Sequence, residues 1–267
     1  MKLIGQSADI WKQEEGIIGV YKQVEKAARL CYKSEDKTTE DSYKNFIDML
    51  KKNGHNSPLE HGTVYLTLDS MPKATFYIHN PYSKVVYETG RYYVTTNYRV
   101  IKEHNLEDDL KYICEPTKYH EKRITIHTVT SIGISRELNR HRCHSICEES
   151  TRYCNYSKDK FGNELTFITP NWINPQCLDK NNTNLSTIDI MWRDACEDAE
   201  TSYIMLLKEG WKPQQARDVL PLCTKTELVH TAFESDWEEF FKLRCSKAAH
   251  PMMQELANKI KEAIKLS

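Results

Sequence analysis

Between residues 18 and 32 the apolar positions Ile18, Val20, Val24, Ala27, Ala28 and Cys31 fall mostly at helical spacing, and Tyr43, Phe46, Ile47 and Leu50 repeat that spacing in the next segment. The chain is therefore predicted to open on two amphipathic helices, the second stopped by Asn53-Gly54. Past Pro58 the period changes to two: Val64, Leu66 and Leu68 alternate with Tyr65 and Thr67, the pattern of a half-buried strand. Further strands are predicted over 74–79, 92–101 and 123–130. The stretch 80–122 is rich in Tyr, Lys, Glu and Asn, with turn signals at Asn80-Pro81 and Glu115-Pro116. It reads as an excursion from the core within one domain.

Ile132 to Arg140 suits a short helix whose end would direct arginines into the following loop. A turn-rich patch spans Asp159 to Asn184. Ile188, Met191, Trp192, Ala195, Cys196, Ala199, Tyr203, Leu206 and Leu207 then form the stripe of a long helix closed by Gly210, and that stripe is assigned to the core. Pro213 fits the first turn of another helix ending at Leu220-Pro221. Thr224 to Ala232 is strand-like, and Ser235-Asp236-Trp237-Glu238 has capping-box spacing ahead of Phe240, Phe241, Leu243 and Arg244. Pro251 opens a last helix. No internal repeat or linker breaks the pattern, so residues 1–267 read as a single mixed α+β domain, an antiparallel-rich sheet with packed helices.

Charge narrows the function classes. Lys plus Arg number 37 against 38 Asp plus Glu, a formal net charge of −1, which leaves no global field to draw in nucleic acid or an anionic membrane surface. Anion binding must be local. No apolar run approaches the roughly 20 residues of a membrane-spanning helix, and nine scattered cysteines point to reduced thiols and a cytoplasmic setting. Cys143, His144, Cys147 and Cys154 can be sketched as a zinc site, yet the paired spacing of small zinc modules is missing, and no metal is assigned.

The local anion site is written between Arg140 and Tyr153, where Arg140, His141, Arg142, His144 and Arg152 share fourteen residues. Guanidinium groups are permanently charged planar forks that bind phosphate or carboxylate oxygens bidentately, so the cluster points to a phosphorylated ligand. A solvated salt-bridge face is the alternative reading of the same residues. Their order adds more: Arg140-His141-Arg142, Ser150 eight positions after Arg142, then Arg152-Tyr153. This resembles the RHR-x7-S signature, extended by Arg-Tyr, of the flavin-dependent thymidylate synthases. His55-Asn56-Ser57-Pro58-Leu59-Glu60-His61, Ala216-Arg217-Asp218-Val219-Leu220-Pro221 and Phe240-Phe241-Lys242-Leu243-Arg244 are similar to three further elements of that family. The resemblance covers roughly 18–70 and 123–255.

The resemblance implies the thymidylate synthase-complementing fold and reductive methylation of dUMP to dTMP. Methylenetetrahydrofolate would be the carbon donor, reduced FAD the hydride source and NADPH the reductant. It implies a homotetramer with shared active sites. By residue it places His55, Ser57, His141, Arg142 and Glu148 on FAD. Glu137, Arg140, Ser150, Arg152, Arg217 and Arg244 fall on dUMP, with Arg244 meeting the uracil and serving as the catalytic residue. Many relatives carry Asn-x-Arg where this chain has Phe233, Glu234 and Ser235, so no flavin contact is carried onto those three. No cysteine nucleophile is required, although Cys143, Cys147 and Cys154 flank the cationic cluster, which could lower a thiol pKa. Two alternatives stay open on sequence: the same scaffold hydroxymethylating a pyrimidine nucleotide, and a non-catalytic nucleotide or RNA binder.

Overall fold

The computed structural model describes residues 1–174, 176 and 186–266. Helix α1 (Gly16–Tyr32) and helix α2 (Ser42–Lys52) form where the helical spacing predicts them. Val20, Val24 and Ala28 of α1 pack with Ile47 and Leu50 of α2 against Val64, Leu66 and Leu68. Those three lie on one face of strand β3 (Thr63–Leu68), as the period of two requires. Gly62 is the tight point of this layer, because a Cβ there would stand 2.7 Å from Val20 Cγ1 and 2.8 Å from Val24 Cγ2. Gly62→Ala is expected to cost about 1–3 kcal/mol through overpacking, read as a lower urea midpoint with an unchanged slope.

Residues 74–79, expected as a strand, belong to helix α3 (Met71–His79) instead. Pro72 sits in its first turn, and Ala74 and Tyr77, three apart, are its buried face. The run 92–101 also divides: strand β5 (Arg91–Asn97) gives way to helix α4 (Tyr98–Glu103) at Asn97, whose side chain caps the Val100 N–H. With strand β4 (Lys84–Glu88), β5 and β3 form an antiparallel sheet in the order β3-β5-β4. The stretch 80–122 is thus no excursion in packing terms, since β5 is the middle strand and Val94, Tyr98 and Ile101 complete the buried cluster. The strand expected from 92 is β5, and its Tyr- and Lys-rich neighbourhood hid only β4.

A second sheet, antiparallel throughout, runs β2 (Ser7–Ile10), β6 (Arg123–Ser131), β9 (Lys225–Phe233), β7 (Ser145–Glu148). Strand β1 (Lys2–Ile4) pairs in parallel with β8 (Thr166–Ile168) beside it. Helices α5 (Ile132–Leu138), α8 (Glu234–Arg244) and α9 (Pro251–Lys265) pack on this sheet through Leu138, Trp237, Phe240, Met253, Leu256 and Ile260.

Helix α6 (Thr187–Lys208) and the short α7 (Pro213–Ala216) follow expectation in position. The stripe of α6 does not: Cys196 and Tyr203 are buried, whereas Ile188 and Met191 are 74% and 67% exposed. The capping box at Ser235 is absent too, because α8 begins at Glu234 after Phe233 and the Ser235 hydroxyl bonds Glu121 Oε1 at 2.6 Å. Of the turn-rich patch, Pro175 and residues 177–184 lie outside the described residues. Among the described residues no helix is long and apolar enough to cross a membrane.

Candidate functional site

Arg244, in the last turn of α8, is the best-anchored cation of the site and only 9% exposed. Its Nη1 donates to Glu137 Oε2 at 2.8 Å, its Nη2 to the Glu137 carbonyl at 3.0 Å, and its Nε to His141 Nε2 at 2.9 Å. Sequence reasoning put Glu137, His141 and Arg244 in one site, and the fold brings all three into direct contact. The last bond fixes a tautomer. Arginine only donates, so His141 Nε2 carries the lone pair, and the neutral ring holds its proton on Nδ1. Burial, then the neighbouring Arg244 and Arg140 charges, push the His141 pKa down to about 4.

Beyond Arg244 the signature is cationic and open. Arg140, Arg142 and Arg152 are exposed, and among the described residues none of them pairs with a carboxylate within 4 Å. Arg152 instead lies 5.2 Å over the Tyr153 ring. The Ser150 amide donates to the Cys31 carbonyl at 3.0 Å, tying this loop to the end of α1, and its Oγ accepts from the Arg152 amide at 3.3 Å. Arg217 reaches the same loop, donating to Thr151 Oγ1 at 3.2 Å. Glu148, at the end of β7, accepts from Asn139 Nδ2 at 3.0 Å and Thr226 Oγ1 at 3.1 Å. His55 and Ser57 stand on the other side of the α1 end, where with Cys31, Tyr32 and Arg99 they line a cavity of about 430 Å³. Tyr32 and Tyr153, their rings tilted and 5.3 Å apart, join this cavity to the signature loop.

The cysteine reading is corrected. Burial pushes the Cys143 thiol up, burial likewise takes Cys154 up to about 12, and hydrogen bonding by Cys31 with burial raises Cys147. None is poised as a thiolate, because burial, the Cys31 hydrogen bond and nearby carboxylates all favour the neutral thiol. Among the described residues no group of three His, Cys, Asp or Glu side chains is placed to hold a metal ion.

One cluster escaped sequence reasoning. Behind His141 stand His144, its ring 5.6 Å away, then His230, 5.8 Å from His144. Deeper still, His61 Nδ1 pairs with Thr231 Oγ1 at 2.9 Å. Both ring nitrogens of His144 and of His230, and Nε2 of His61, are sealed from solvent without a protein partner. Desolvation lowers the pKa of His61 and His144 to about 3 each and that of His230 well below the ordinary value. These rings brace His141 and Phe240 from beneath. Only the nearness of His144 to the signature arginines hinted at them, since the pairing that sets His230 opposite Ile126 and Ile146 is a long-range fact.

The departure at 233–235 is structural as well. Phe233 is buried and Ser235 is held by Glu121 and Lys84, so these two serve internal packing, while Glu234 between them is exposed.

The profile described as thymidylate synthase complementing protein matches residues 19–77 and 120–266. A flavin-dependent thymidylate synthase of Kosmotoga olearia is 31% identical over 134 residues, 49% of this chain and 57% of that protein. The protein of the same name from Pyrococcus abyssi is 27% identical over 166 residues, 59% of this chain and 64% of that protein. The aligned part thus spans less than two thirds of either relative. The profile passes over 78–119, the region of β4, β5 and α4, and takes in all three signature arginines, Arg217 and Arg244. With most of its length matched, the chain belongs to the thymidylate synthase complementing protein family.

Proposed function

We propose that this protein is a flavin-dependent thymidylate synthase, converting dUMP to dTMP with methylenetetrahydrofolate as carbon donor, FAD as cofactor and NADPH as reductant. The observation that carries the reading is the set of exposed signature guanidiniums, Arg140, Arg142 and Arg152, with no carboxylate partner among the described residues, beside a nearly buried Arg244 held by two partners. Unpaired cations in one loop fit a dinucleotide cofactor and a nucleotide monophosphate, each carrying about two negative charges near neutral pH. A bound, reduced flavin supplies the hydride that completes the methyl group.

The chain's own task is binding, orientation and charge. Arg142, His141 and Glu148, with His55 and Ser57 across the end of α1, hold the flavin; Arg140, Ser150, Arg152 and Arg217 hold the nucleotide phosphate and sugar. Arg244 faces the uracil, where a guanidinium that stays cationic stabilises negative charge on the ring. Glu137 and His141 keep that fork from rotating. In this reading the subunits form a homotetramer with shared sites, so an isolated monomer is inactive, and the ligands are small molecules with no nucleic acid or membrane involved.

The test is flavin retention. The purified protein is expected to be yellow, and Arg142→Ala should weaken FAD binding by roughly 10- to 100-fold, the loss of one or two charge-assisted hydrogen bonds. Titration by flavin fluorescence reads this directly. A wild-type protein that is colourless and takes up no added FAD overturns the proposal.

A further inference from the structure

The sheet β3-β5-β4 ends at β4, whose outer side has no backbone partner among the described residues. Exposed strand edges are usually blunted by short length, charged side chains, proline, a bulge or a covering segment; the charges of β4 sit only at its two ends, Lys84 and Glu88. Lys84-Val85-Val86-Tyr87-Glu88 has no proline, and its register with β5 is unbroken.

Which backbone groups face outward follows from the turn. Thr89 and Gly90 link Glu88 to Arg91 with φ values of 51° and 77°, the paired left-handed residues of a type I′ hairpin. Glu88 and Arg91 therefore form a hydrogen-bonded pair, and the alternation of an antiparallel ladder makes Val86–Tyr93 and Lys84–Thr95 bonded pairs as well. Val85 and Tyr87 consequently turn their N–H and C=O groups to the free side.

We propose that β4 pairs with the β4 of a second copy of this chain, antiparallel and centred on Val86. In that register Val85 lies opposite Tyr87 of the second copy, and both present outward N–H and C=O groups, so each such pair exchanges two hydrogen bonds. Lys84 meets Glu88, and Glu88 meets Lys84. Centring on Val85 or Tyr87 shortens the ladder and removes the opposite-charge pairing, so Val86 is the centre at which length, hydrogen-bond phase and charge agree. Lys84 already bonds Glu121 at 2.8 Å but stays 34% exposed, open to a second carboxylate.

The side chains favour the same contact. Tyr87 is 61% and Val86 39% exposed; the Tyr87 ring lies tilted 4.7 Å from that of Tyr92, whose hydroxyl reaches Met71 Sδ at 3.2 Å. A two-fold axis at Val86 brings two copies of this apolar group together, the self-complementary arrangement of an isologous interface. The strand lies in the segment that the family profile passes over, so the inference is independent of the proposed reaction.

A cysteine scan on the full chain tests it. Facing residues of a non-bonded antiparallel pair have Cα atoms about 4.5 Å apart, inside disulfide range. Val86→Cys should thus form a disulfide-linked dimer under mild oxidation. Glu88→Cys places the two thiols four residues out of register, about 14 Å along the strands, and should not. The expected rate for Val86→Cys is roughly tenfold or more above that of Glu88→Cys, with the wild type setting the background from exposed Cys143.

Adding Tyr87→Pro removes an outward N–H while sparing the β5 ladder, and should bring the Val86→Cys rate down to the control level. Should that variant fail to fold, Glu88→Lys in the Val86→Cys chain, which sets lysines opposite each other, should slow the rate instead. Equal rates for Val86→Cys and Glu88→Cys overturn the proposal, including the case where this edge takes a strand from another protein. So does a Val86→Cys rate that folded Tyr87→Pro or Glu88→Lys chains leave unchanged.

Discussion

Arg244→Ala is expected to lower kcat by roughly 10²- to 10³-fold, the range found when one preorganised donor is removed from a site where negative charge develops. Flavin binding should fall far less than in Arg142→Ala, because, of the residues assigned to FAD, Arg244 touches only His141. Arg244→Lys keeps the charge but cannot bond Glu137 twice and His141 at once, so it should fall between wild type and alanine. Because Arg244 is 9% exposed, alanine there also removes packing and leaves Glu137 without its cation. Thermal melts on the same samples separate lost fold from lost chemistry. Unchanged turnover in Arg244→Ala would show that the uracil does not meet this side chain.

Acid is expected to destabilise the protein between pH 6.5 and 4, before most carboxylates titrate. His61 and His144 have folded pKa values of about 3, His141 about 4, and His230 lies well below 6.5. A base with a depressed folded pKa binds fewer protons folded than unfolded, so stability is complete above the unfolded value near 6.5 and is lost as pH falls toward the folded value. At pH 5 each histidine that stays neutral in the fold costs about 2 kcal/mol relative to pH 8. Three such rings, His61, His144 and His230, weigh heavily against a total stability of about 5–15 kcal/mol. Glu227, held far below the usual carboxylate range despite burial by His127, Lys225 and Lys33, acts in a lower window, its contribution fading only as pH drops past the unfolded carboxylate value. Melting temperature is expected to fall from pH 7 to pH 5, and His230→Phe should flatten that slope if the variant folds. A melting temperature equal at pH 5 and pH 7 would contradict the neutral, buried cluster.

Local physics made part of this legible. Helical spacing placed α1, α2 and α6, and period two placed β3, β6 and β9, because each pattern is set within one element. Composition misled where a short strand lies among Tyr, Lys and Glu, as in β4, where a strand gives way to a helix at a capping Asn, as at the end of β5, and where a proline opens a helix, as in α3. The exposed Ile188 and Met191 show the limit of periodicity, which gives a stripe but not what covers it. At the site, the family resemblance named Glu137, His141 and Arg244, and the fold adds that Arg244 is held by the other two rather than free. The histidines beneath were invisible because His61, His144 and His230 come from three distant segments that only the tertiary fold brings together.

The most direct measurement is the mass of the product formed from dUMP by purified protein supplied with FAD, NADPH and methylenetetrahydrofolate without oxygen. A nucleotide heavier by one methylene group, with the mass of dTMP, is the predicted result. Unchanged dUMP from a folded, flavin-loaded protein, or a product heavier by a further oxygen, would contradict it.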